Sequence, residues 1–379
     1  RDWSSDVCSS DLQALDTLAP TITVTDNVAG TVNRSTGTIT YTYTFSEPVT
    51  GLVASDFTTV TNGTVSSVSG SGTTWTVAVT PTLGVSSGNI SLTLQAGAVT
   101  DAAGNPNALN TNTAQAIDTV APAAAPSITN VVDDVGTVTG TVANAGTTDD
   151  AVLVISGTTP TSGAPVNIYD GATFLGTVTA TGTTWTFTTA TLTNGAHSFT
   201  AKEADAAGNE STASAARTLT VDNTPPTVTV TDNVSGTANI ATVTSRILYT
   251  YTFSESVTGL ATNDFTVTNG TVNSVSGSGT TWTVNVTPTN GINGPAFVTM
   301  VLAAGAVSDA AGTPNAINTN SAQALDTLVA TPTVSLANDT GTSNTDRITS
   351  VATLSLGGIE SGATDRKSTR LNSSHVALS

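Results

Sequence analysis

The sequence predicts an all-β protein built from tandem β-sandwich domains, and three observations support this fold class. Charged residues make up only 9% of the 379-residue chain, so the helix-favouring Glu, Lys and Arg are scarce and a mainly helical fold is excluded. Apolar and polar residues alternate with a period of two, as in strands with one buried face. Long segments recur in the same order, which indicates repeated domains rather than one large core.

Composition also limits the classes of function. No apolar run approaches the ~20 residues that a membrane-spanning helix needs, so we expect no membrane insertion. The net charge of −18 would repel phosphate backbones, which argues against a nucleic-acid partner. We therefore expect a soluble, acidic, all-β protein.

The two ends of the sequence differ from the rest and match translated sequencing adapter. The segments DWSSDVCSSDL (Asp2–Leu12) and DRKSTRLNSSH (Asp365–His375) correspond to one oligonucleotide read in opposite directions. We therefore interpret residues 1–13 and 365–379 as non-native and the remainder as a fragment of a longer chain. The only cysteine, Cys8, then lies outside the natural sequence.

Between these ends, two copies of one repeat flank a different unit. YTYTFSE at Tyr41–Glu47 recurs at Tyr249–Glu255, and VSGSGTTWTV at Val68–Val77 recurs at Val275–Val284. The spacing of roughly 200 residues equals two domain lengths. Each predicted junction carries an aspartate: Asp16, Asp118, Asp222 and Asp326. The predicted units are 14–120 and 223–328 (type A), 121–222 (type B) and a truncated unit, 329–364.

Each unit reads as a set of short strands. In Ile39–Phe45, for example, Ile, Tyr, Tyr and Phe alternate with Thr, which predicts one face in a core and one in water. Six or seven such strands in about 100 residues are typical of a β-sandwich, and we expect the Trp of each GTTW segment to fill its core. In the first type A unit the predicted strands are 20–25, 38–46, 56–61, 64–69, 74–80, 89–95 and 113–118.

These motifs together resemble the bacterial Ig-like domains that are repeated in large surface adhesins. DTLAPTITVTDN, YTYTFSEPVTGL, GTTWTV and DAAGNPN carry the likeness in order for type A, and YDGATFLGTVTATGTTWTFTT with NGAHSFTAKEADAAGN carries it for type B. The resemblance implies an elongated array of Ig-like domains at the bacterial surface or outside the cell. Such an array would act as a structural extender in cell adhesion or biofilm formation.

The expected partners are neighbouring Ig-like repeats of the same chain, while a host or biofilm-matrix ligand stays unidentified. The alternative is an accessory Ig-like region of a large secreted hydrolase that acts on polysaccharides. The only natural histidine, His197, is expected on an exposed strand, with no cysteine or second histidine to form a zinc site or a catalytic triad with it. We therefore expect no enzyme activity.

Acidic residues are predicted to gather at the end of each sandwich where the preceding linker enters, because alternate loops of an up-and-down strand order lie at the same end. Crowded carboxylates repel one another unless a cation lies among them, and calcium accepts 6–8 oxygen ligands. Similarity to related adhesins also implies that Ca²⁺ stiffens the junctions. The predicted ligands are Asp16, Glu47, Asp56, Asp101 and Asn105 in the first unit, Asp118, Asp205 and Asn209 in the middle unit, and Asp222, Glu255, Asp264 and Asp309 in the third.

Two features qualify this prediction. The middle unit has no clear third acid, and Thr313 in the third unit takes the place of Asn105. The alternative is that Asp-Ala-Ala-Gly-Asn is simply a tight turn, in which Asp and Asn cap backbone amides and Gly allows a positive φ.

Overall fold

The computed structural model of the chain describes residues 15–239, 243–244, 246–319, 322–329, 331, 333–336 and 354–357. The adapter-like segments and most of the truncated unit lie outside these residues. The described chain forms two compact units. The first contains the first and middle sandwiches except Val135–Val138, and the second contains the third sandwich. Within the described residues, no helix has the length and apolar character required to cross a membrane.

The first sandwich contains β1 (Ile22–Asp26), β2 (Ile39–Val49), β3 (Phe57–Thr61), β4 (Gly63–Pro81), β5 (Asn89–Leu94) and β6 (Asn110–Ala116). These strands form two three-stranded sheets, β1-β2-β4 and β3-β5-β6. A 3₁₀ turn at Ala54–Asp56 precedes β3. Alternate residues of β2 are buried and the threonines between them are more exposed, which confirms the predicted period of two.

The predicted strands 64–69 and 74–80 both lie within β4, because β4 folds back on itself. Gly70 and Gly72 have φ values of +136° and +62° at the reversal, which side chains with a Cβ rarely adopt. Ser69 Oγ and Thr76 Oγ1 lie 2.8 Å apart across the two halves. The GSG segment is therefore the tip of a hairpin whose arms are the two predicted strands.

Aromatic residues join the two sheets of the first sandwich. Tyr41 and Tyr43 on β2 are 0% exposed, and the ring of Tyr43 meets that of Phe57 edge-on at 5.5 Å between centroids. Such edge contacts add to the stabilisation from apolar burial. Trp75 packs against this core but is only partly buried, so the prediction that it fills the core holds in part.

The middle sandwich contains β7 (Ser127–Asp133), β8 (Gly140–Thr141), β9 (Gly146–Thr148), β10 (Val154–Thr158), β11 (Pro165–Asp170), β12 (Thr173–Thr179), β13 (Thr184–Thr188), β14 (Gly195–Glu203) and β15 (Arg217–Val221). Its sheets are β13-β10-β7-β8 and β12-β11-β14-β15-β9, with β15 and β9 parallel. Trp185 on β13 is 3% exposed, so here the predicted core position of the Trp is confirmed.

The third sandwich repeats the first. Its strands are β16 (Val228–Asp232), β17 (Ile247–Val257), β18 (Phe265–Thr268), β19 (Gly270–Pro288), β20 (Ala296–Leu302), β21 (Asn318–Thr319) and β22 (Gln323–Leu325). The sheets are β16-β17-β19 and β18-β20-β21, with β22 also paired to β20. A 3₁₀ turn at Thr262–Asp264 precedes β18. Beyond this sandwich, β23 (Thr333–Leu336) and β24 (Leu354–Gly357) pair in antiparallel orientation.

Candidate metal centres

The loop that follows β5 in the first sandwich is a tight turn around Asp101. Asp101 Oδ1 accepts hydrogen bonds from the backbone amides of Ala103 (2.8 Å) and Asn105 (2.9 Å). Asp101 Oδ2 accepts one from Asn105 Nδ2 at 2.9 Å. Gly104 has a φ of +90°, which glycine adopts without steric cost. The predicted capped turn is therefore confirmed, and it fixes the Asp101 carboxylate in place.

Two further carboxylates approach Asp101 from distant parts of the sequence. Glu47 lies near the end of β2, and Asp16 lies in the linker that precedes the sandwich. One carboxylate oxygen from each of the three residues lies within 4.8 Å of the others. The linker is held there because Asn105 Nδ2 also donates to the backbone carbonyl of Asp16 at 3.1 Å. The arrangement allows one oxygen-preferring cation to contact the linker, a strand and a loop together.

The surroundings of Glu47 and Asp101 shift the pKa values of these two carboxyl groups in opposite directions. Loss of hydration, together with the nearby charges of Asp101 and Asp16, raises the pKa of Glu47. The hydrogen bond from the Asn105 side chain is the main reason that the pKa of Asp101 is lowered. Ionised Glu47 is therefore disfavoured beside an aspartate that stays ionised, and a cation between them would remove that repulsion.

Asp222, Glu255 and Asp309 form the corresponding cluster in the third sandwich, again with one oxygen from each within 4.8 Å of the others. Loss of hydration and the charges of Asp309 and Asp222 raise the pKa of Glu255. Thr313 stands where the first sandwich has Asn105, and its Oγ1 donates to the backbone carbonyl of Asp222 at 2.7 Å. The linker is thus fastened at the same point by a shorter side chain.

The carboxylate of Asp309 is hydrogen-bonded through one oxygen only. Its Oδ1 accepts from the backbone amides of Ala311 (2.8 Å), Gly312 (2.9 Å) and Thr313 (2.9 Å). Its Oδ2 is buried and has no hydrogen-bond partner, since Thr313 lacks the side-chain amide with which Asn105 donates to Asp101 Oδ2. Leaving a buried charged oxygen unpartnered is costly, so this atom is the part of the cluster that most needs a ligand.

Two predicted ligands, Asp56 and Asp264, are not brought into these clusters. Their carboxylates accept hydrogen bonds from the backbone amides of Val53 (2.8 Å) and Ala261 (2.7 Å), respectively. These contacts cap the 3₁₀ turns that precede β3 and β18. Both aspartates therefore stabilise turns in this structure, and a role in cation binding stays a prediction for them.

The same turn recurs around Asp205 in the middle sandwich. Asp205 Oδ1 accepts from the amides of Ala207 (2.9 Å) and Asn209 (2.8 Å), and Asp205 Oδ2 accepts from Asn209 Nδ2 (2.9 Å). Asn209 Nδ2 also donates to the backbone carbonyl of Asp118 in the linker at 3.0 Å. Within the part of the chain that the structure describes, neither Asp118 nor Asp205 belongs to a group of three potential metal ligands.

This turn contacts the preceding sandwich instead. Asn209 Oδ1 accepts a hydrogen bond from the backbone amide of Arg34 at 2.6 Å, and Asn33 Nδ2 donates to the backbone carbonyl of Ala207 at 2.9 Å. The oxygen of Asn209, which the sequence predicts as a calcium ligand, is thus engaged with the neighbouring sandwich. Sequence reasoning missed Asn33 and Arg34, because a short polar loop segment carries no motif that indicates such a contact.

The prediction that His197 is exposed is wrong. The residue is 8% exposed, its Nδ1 lies 2.7 Å from Asp170 Oδ2, and its Nε2 lies 2.8 Å from the carbonyl oxygen of Thr193. Burial lowers the pKa of His197, but the hydrogen bonds to Asp170 and Thr193 and the charge of Asp170 outweigh it and raise the pKa overall. Only the protonated ring can donate from both nitrogens, so His197 serves as one half of an internal ion pair.

Two family models match the chain, and both are described as a bacterial Ig-like domain. One matches residues 16–117 and 222–325, and the other matches residues 125–223. No curated protein shows significant similarity to the chain.

Several solved structures share weak likeness with the chain. The BSP domain of a biofilm associated protein is 20% identical over 55% of this chain and 30% of that chain, with a TM-score of 0.19. The fibronectin(III)-like modules of Clostridium thermocellum CbhA are 17% identical over 52% of this chain and 95% of theirs, with a TM-score of 0.23. The ICAM-5 D1–D4 ectodomain fragment is 11% identical over 84% of this chain and 80% of that fragment, with a TM-score of 0.24.

The chain therefore spans less than a third of the biofilm associated protein that it matches. TM-scores at this level do not establish a shared arrangement of domains, and we conclude nothing from these likenesses. The family models are different, because their matched segments cover most of the chain and follow the three sandwiches described above. The chain belongs to the bacterial Ig-like domain family and carries such domains in tandem.

Proposed function

We propose that this region is a structural extender of a large bacterial cell-surface or secreted adhesin, where it supports cell adhesion or biofilm formation. Its domains would carry binding modules away from the cell, and calcium would stiffen the junctions at the first and third sandwiches. The observation that carries the proposal is the pair of three-carboxylate clusters. Each cluster combines a linker aspartate with two acids of the sandwich that follows, so a bound cation would fix the linker to that sandwich.

The clusters have the chemistry that calcium prefers. All the ligand atoms are carboxylate oxygens, and Ca²⁺ takes oxygen ligands in flexible arrangements completed by carbonyls and water. Extracellular calcium modules bind with dissociation constants of about 10⁻⁴–10⁻³ M, and a site of this affinity at each cluster would meet the proposal. An enzymatic role is not part of the proposal, because His197 is committed to an ion pair with Asp170.

The alternative, an accessory region of a polysaccharide-active hydrolase, would use the same domains. No feature of the described residues favours it. Reading the complete gene for a catalytic domain, or for many more repeats with a secretion signal, separates the two.

Small-angle X-ray scattering of the chain in millimolar calcium and in chelator tests the proposal. We expect a longer and stiffer particle in calcium, and we expect the double variant Asp101→Ala with Asp309→Ala to lose the difference. Asp205→Ala is the matched control, since it removes the same turn-capping carboxylate from a sandwich without an acid cluster, and it should keep the calcium response. Identical scattering profiles of the original chain in both buffers would contradict a role for calcium.

A further inference from the structure

The acid clusters of the first and third sandwiches differ in one neighbouring side chain. Asn105 in the first sandwich donates to Asp101 Oδ2 at 2.9 Å. Thr313, at the same place in the third sandwich, donates to the Asp222 carbonyl instead. The second carboxylate oxygen therefore has a hydrogen-bond donor in Asp101 but none in Asp309. Both clusters otherwise consist of two aspartates and one glutamate within the same 4.8 Å limit.

Asp309 Oδ2 is the only oxygen of its carboxylate left for a ligand. The residue is 5% exposed, its Oδ1 accepts three backbone amides, and its Oδ2 has no partner. Water reaches this oxygen poorly, so its charge is compensated neither by solvent nor by a hydrogen bond. A cation among Asp222, Glu255 and Asp309 would supply the missing compensation.

Asp101 Oδ2 is already compensated by the side-chain amide of Asn105. A cation at the first cluster would gain less, because one lone pair of that oxygen is engaged and the amide hydrogens carry partial positive charge. Turning the Asn105 amide to offer its oxygen instead would break its hydrogen bond to the Asp16 carbonyl. The first cluster is therefore the poorer site for a divalent cation.

We propose that the two sites are graded: the Asp222–Glu255–Asp309 site binds calcium more tightly and fills first, and the Asp16–Glu47–Asp101 site fills only at higher calcium. This inference rests on the proposed function and adds an order to it. The linker at Asp222 gains the additional contact through the ion at a calcium concentration where the linker at Asp16 is held only by its hydrogen bond to Asn105. The residue that sets the order is Asn105 or Thr313, which does not need to contact the ion.

Calorimetric titration of the full chain with calcium chloride tests the order. We expect two classes of site, with Asp309→Asn removing the tighter one and Asp101→Asn removing the weaker one. Exchanging the neighbouring residues should reverse the ranking: Thr313→Asn should weaken the tighter site and Asn105→Thr should strengthen the weaker site. Each change should be roughly tenfold, the lower end of the effect that hydrogen-bond partners of metal ligands have.

The possible results separate the inference from the proposed function. Absence of calcium binding at both sites, with folded protein confirmed by circular dichroism, would refute the role of calcium in the proposed function and with it the order of the sites. Binding with equal affinity at both sites, or no change on either exchange, would refute only the order. Weaker binding in Asn105→Thr would also refute it, because it would show that Asn105 ligates the ion through its own oxygen. Thermal unfolding of each variant in chelator controls for loss of fold.

Discussion

At the end of each sandwich where the preceding linker enters, the same tight turn is present, but its contacts differ. The first and third sandwiches share one set of contacts, and the middle sandwich has another. In all three, an aspartate caps a tight turn and a side chain from that turn holds the backbone of the linker aspartate. In the first and third, a glutamate from the strand before the 3₁₀ turn adds a third carboxylate, Glu47 or Glu255. In the middle sandwich, the turn bonds to Asn33 and Arg34 of the preceding domain.

This difference shows that one loop can serve two kinds of junction. Where a third acid is present, the junction has excess negative charge and is completed by a cation under our proposal. Where it is absent, hydrogen bonds join the turn to the preceding sandwich. All three sandwiches share the five-residue turn. The two kinds of junction therefore differ in whether a glutamate from another strand, Glu47 or Glu255, lies beside that turn.

The largest expected effect comes from Asn209→Ala at the hydrogen-bonded junction. Asn209 is 2% exposed, and its side chain bonds to Asp205, to the linker carbonyl of Asp118 and to the amide of Arg34. Losing these bonds should destabilise the middle sandwich by roughly 3 kcal/mol. Scanning calorimetry should show its transition lowered by roughly 4–8 °C for each kcal/mol, equally in calcium and in chelator. A calcium-dependent loss would mean that this junction also holds an ion.

The next largest effect is expected for Asp309→Asn at the acid cluster, which should raise the stability of the third sandwich in chelator and lower it in calcium. The asparagine keeps the oxygen that accepts the three backbone amides and replaces the buried, unpartnered Oδ2 with a neutral group. In chelator the third sandwich should therefore be stabilised, whereas in calcium the variant should lose the gain from binding, roughly 3 kcal/mol at a hundredfold excess over the dissociation constant. Thermal unfolding in the two buffers measures both. Destabilisation of equal size in both would show that Asp309 acts only as a turn residue.

Two tyrosines, the buried Tyr41 and the half-buried Tyr169, should give smaller effects of opposite sign in the two domain types. Tyr41 in the first sandwich is 0% exposed, and its hydroxyl has no hydrogen-bond partner. Tyr41→Phe should therefore stabilise that sandwich by about 1 kcal/mol. In the middle sandwich, the Tyr169 hydroxyl donates to Glu210 Oε1, so Tyr169→Phe should destabilise. Opposite shifts of the two thermal transitions are the expected result, and a loss of stability in Tyr41→Phe would contradict it.

The smallest expected effect is the dependence of stability on pH, which should occur over different pH ranges in the two domain types. The folded pKa of His197 is raised, so its stabilisation is complete below its unfolded value of about 6.5 and is lost as the pH rises through the folded value. Raising the pH through the folded pKa should therefore weaken the middle sandwich, and His197→Gln should flatten that dependence.

The pKa values of Glu47 and Glu255 are raised in the folded state, so these residues affect stability at acidic pH. Because each glutamate is easier to protonate in the folded state, the first and third sandwiches in chelator should gain stability as the pH falls through the raised pKa values. Calcium should remove this gain, since protons and the ion compete for the same oxygens. An acid gain of equal size in calcium and in chelator would contradict the assignment of these glutamates to cation sites.

Much of the fold could be predicted because it depends on patterns among residues that are close in sequence. The alternation in Ile39–Phe45 specifies a half-buried strand, and the repeated segments specify repeated domains. The approach of Glu47 and Asp101 could also be predicted, because alternating strand directions place their loops at one end. The positive φ values at Gly70 and Gly72 agree with a GSG hairpin between two predicted strands.

The remaining features depend on contacts between segments that are distant in sequence. His197 lies on β14, where Asp170 of the neighbouring strand β11 pairs with its ring, and no local pattern specifies that pair. The contact of Asn33 and Arg34 with the middle sandwich depends on how two domains dock. The unpartnered oxygen of Asp309 follows from a single replacement, Thr313 for Asn105, whose effect on the carboxylate becomes visible only with the turn geometry.

Hydrogen exchange of the full chain, measured by mass spectrometry in calcium and in chelator, tests the central comparison most directly. Calcium should slow exchange in the peptides that contain Asp16, Asp222 and the turns at Asp101 and Asp309. Exchange should stay unchanged around Asp118 and the turn at Asp205, which hydrogen bonds already hold. Equal protection at all three linker ends, or none at any, would contradict the division into ion-completed and hydrogen-bonded junctions.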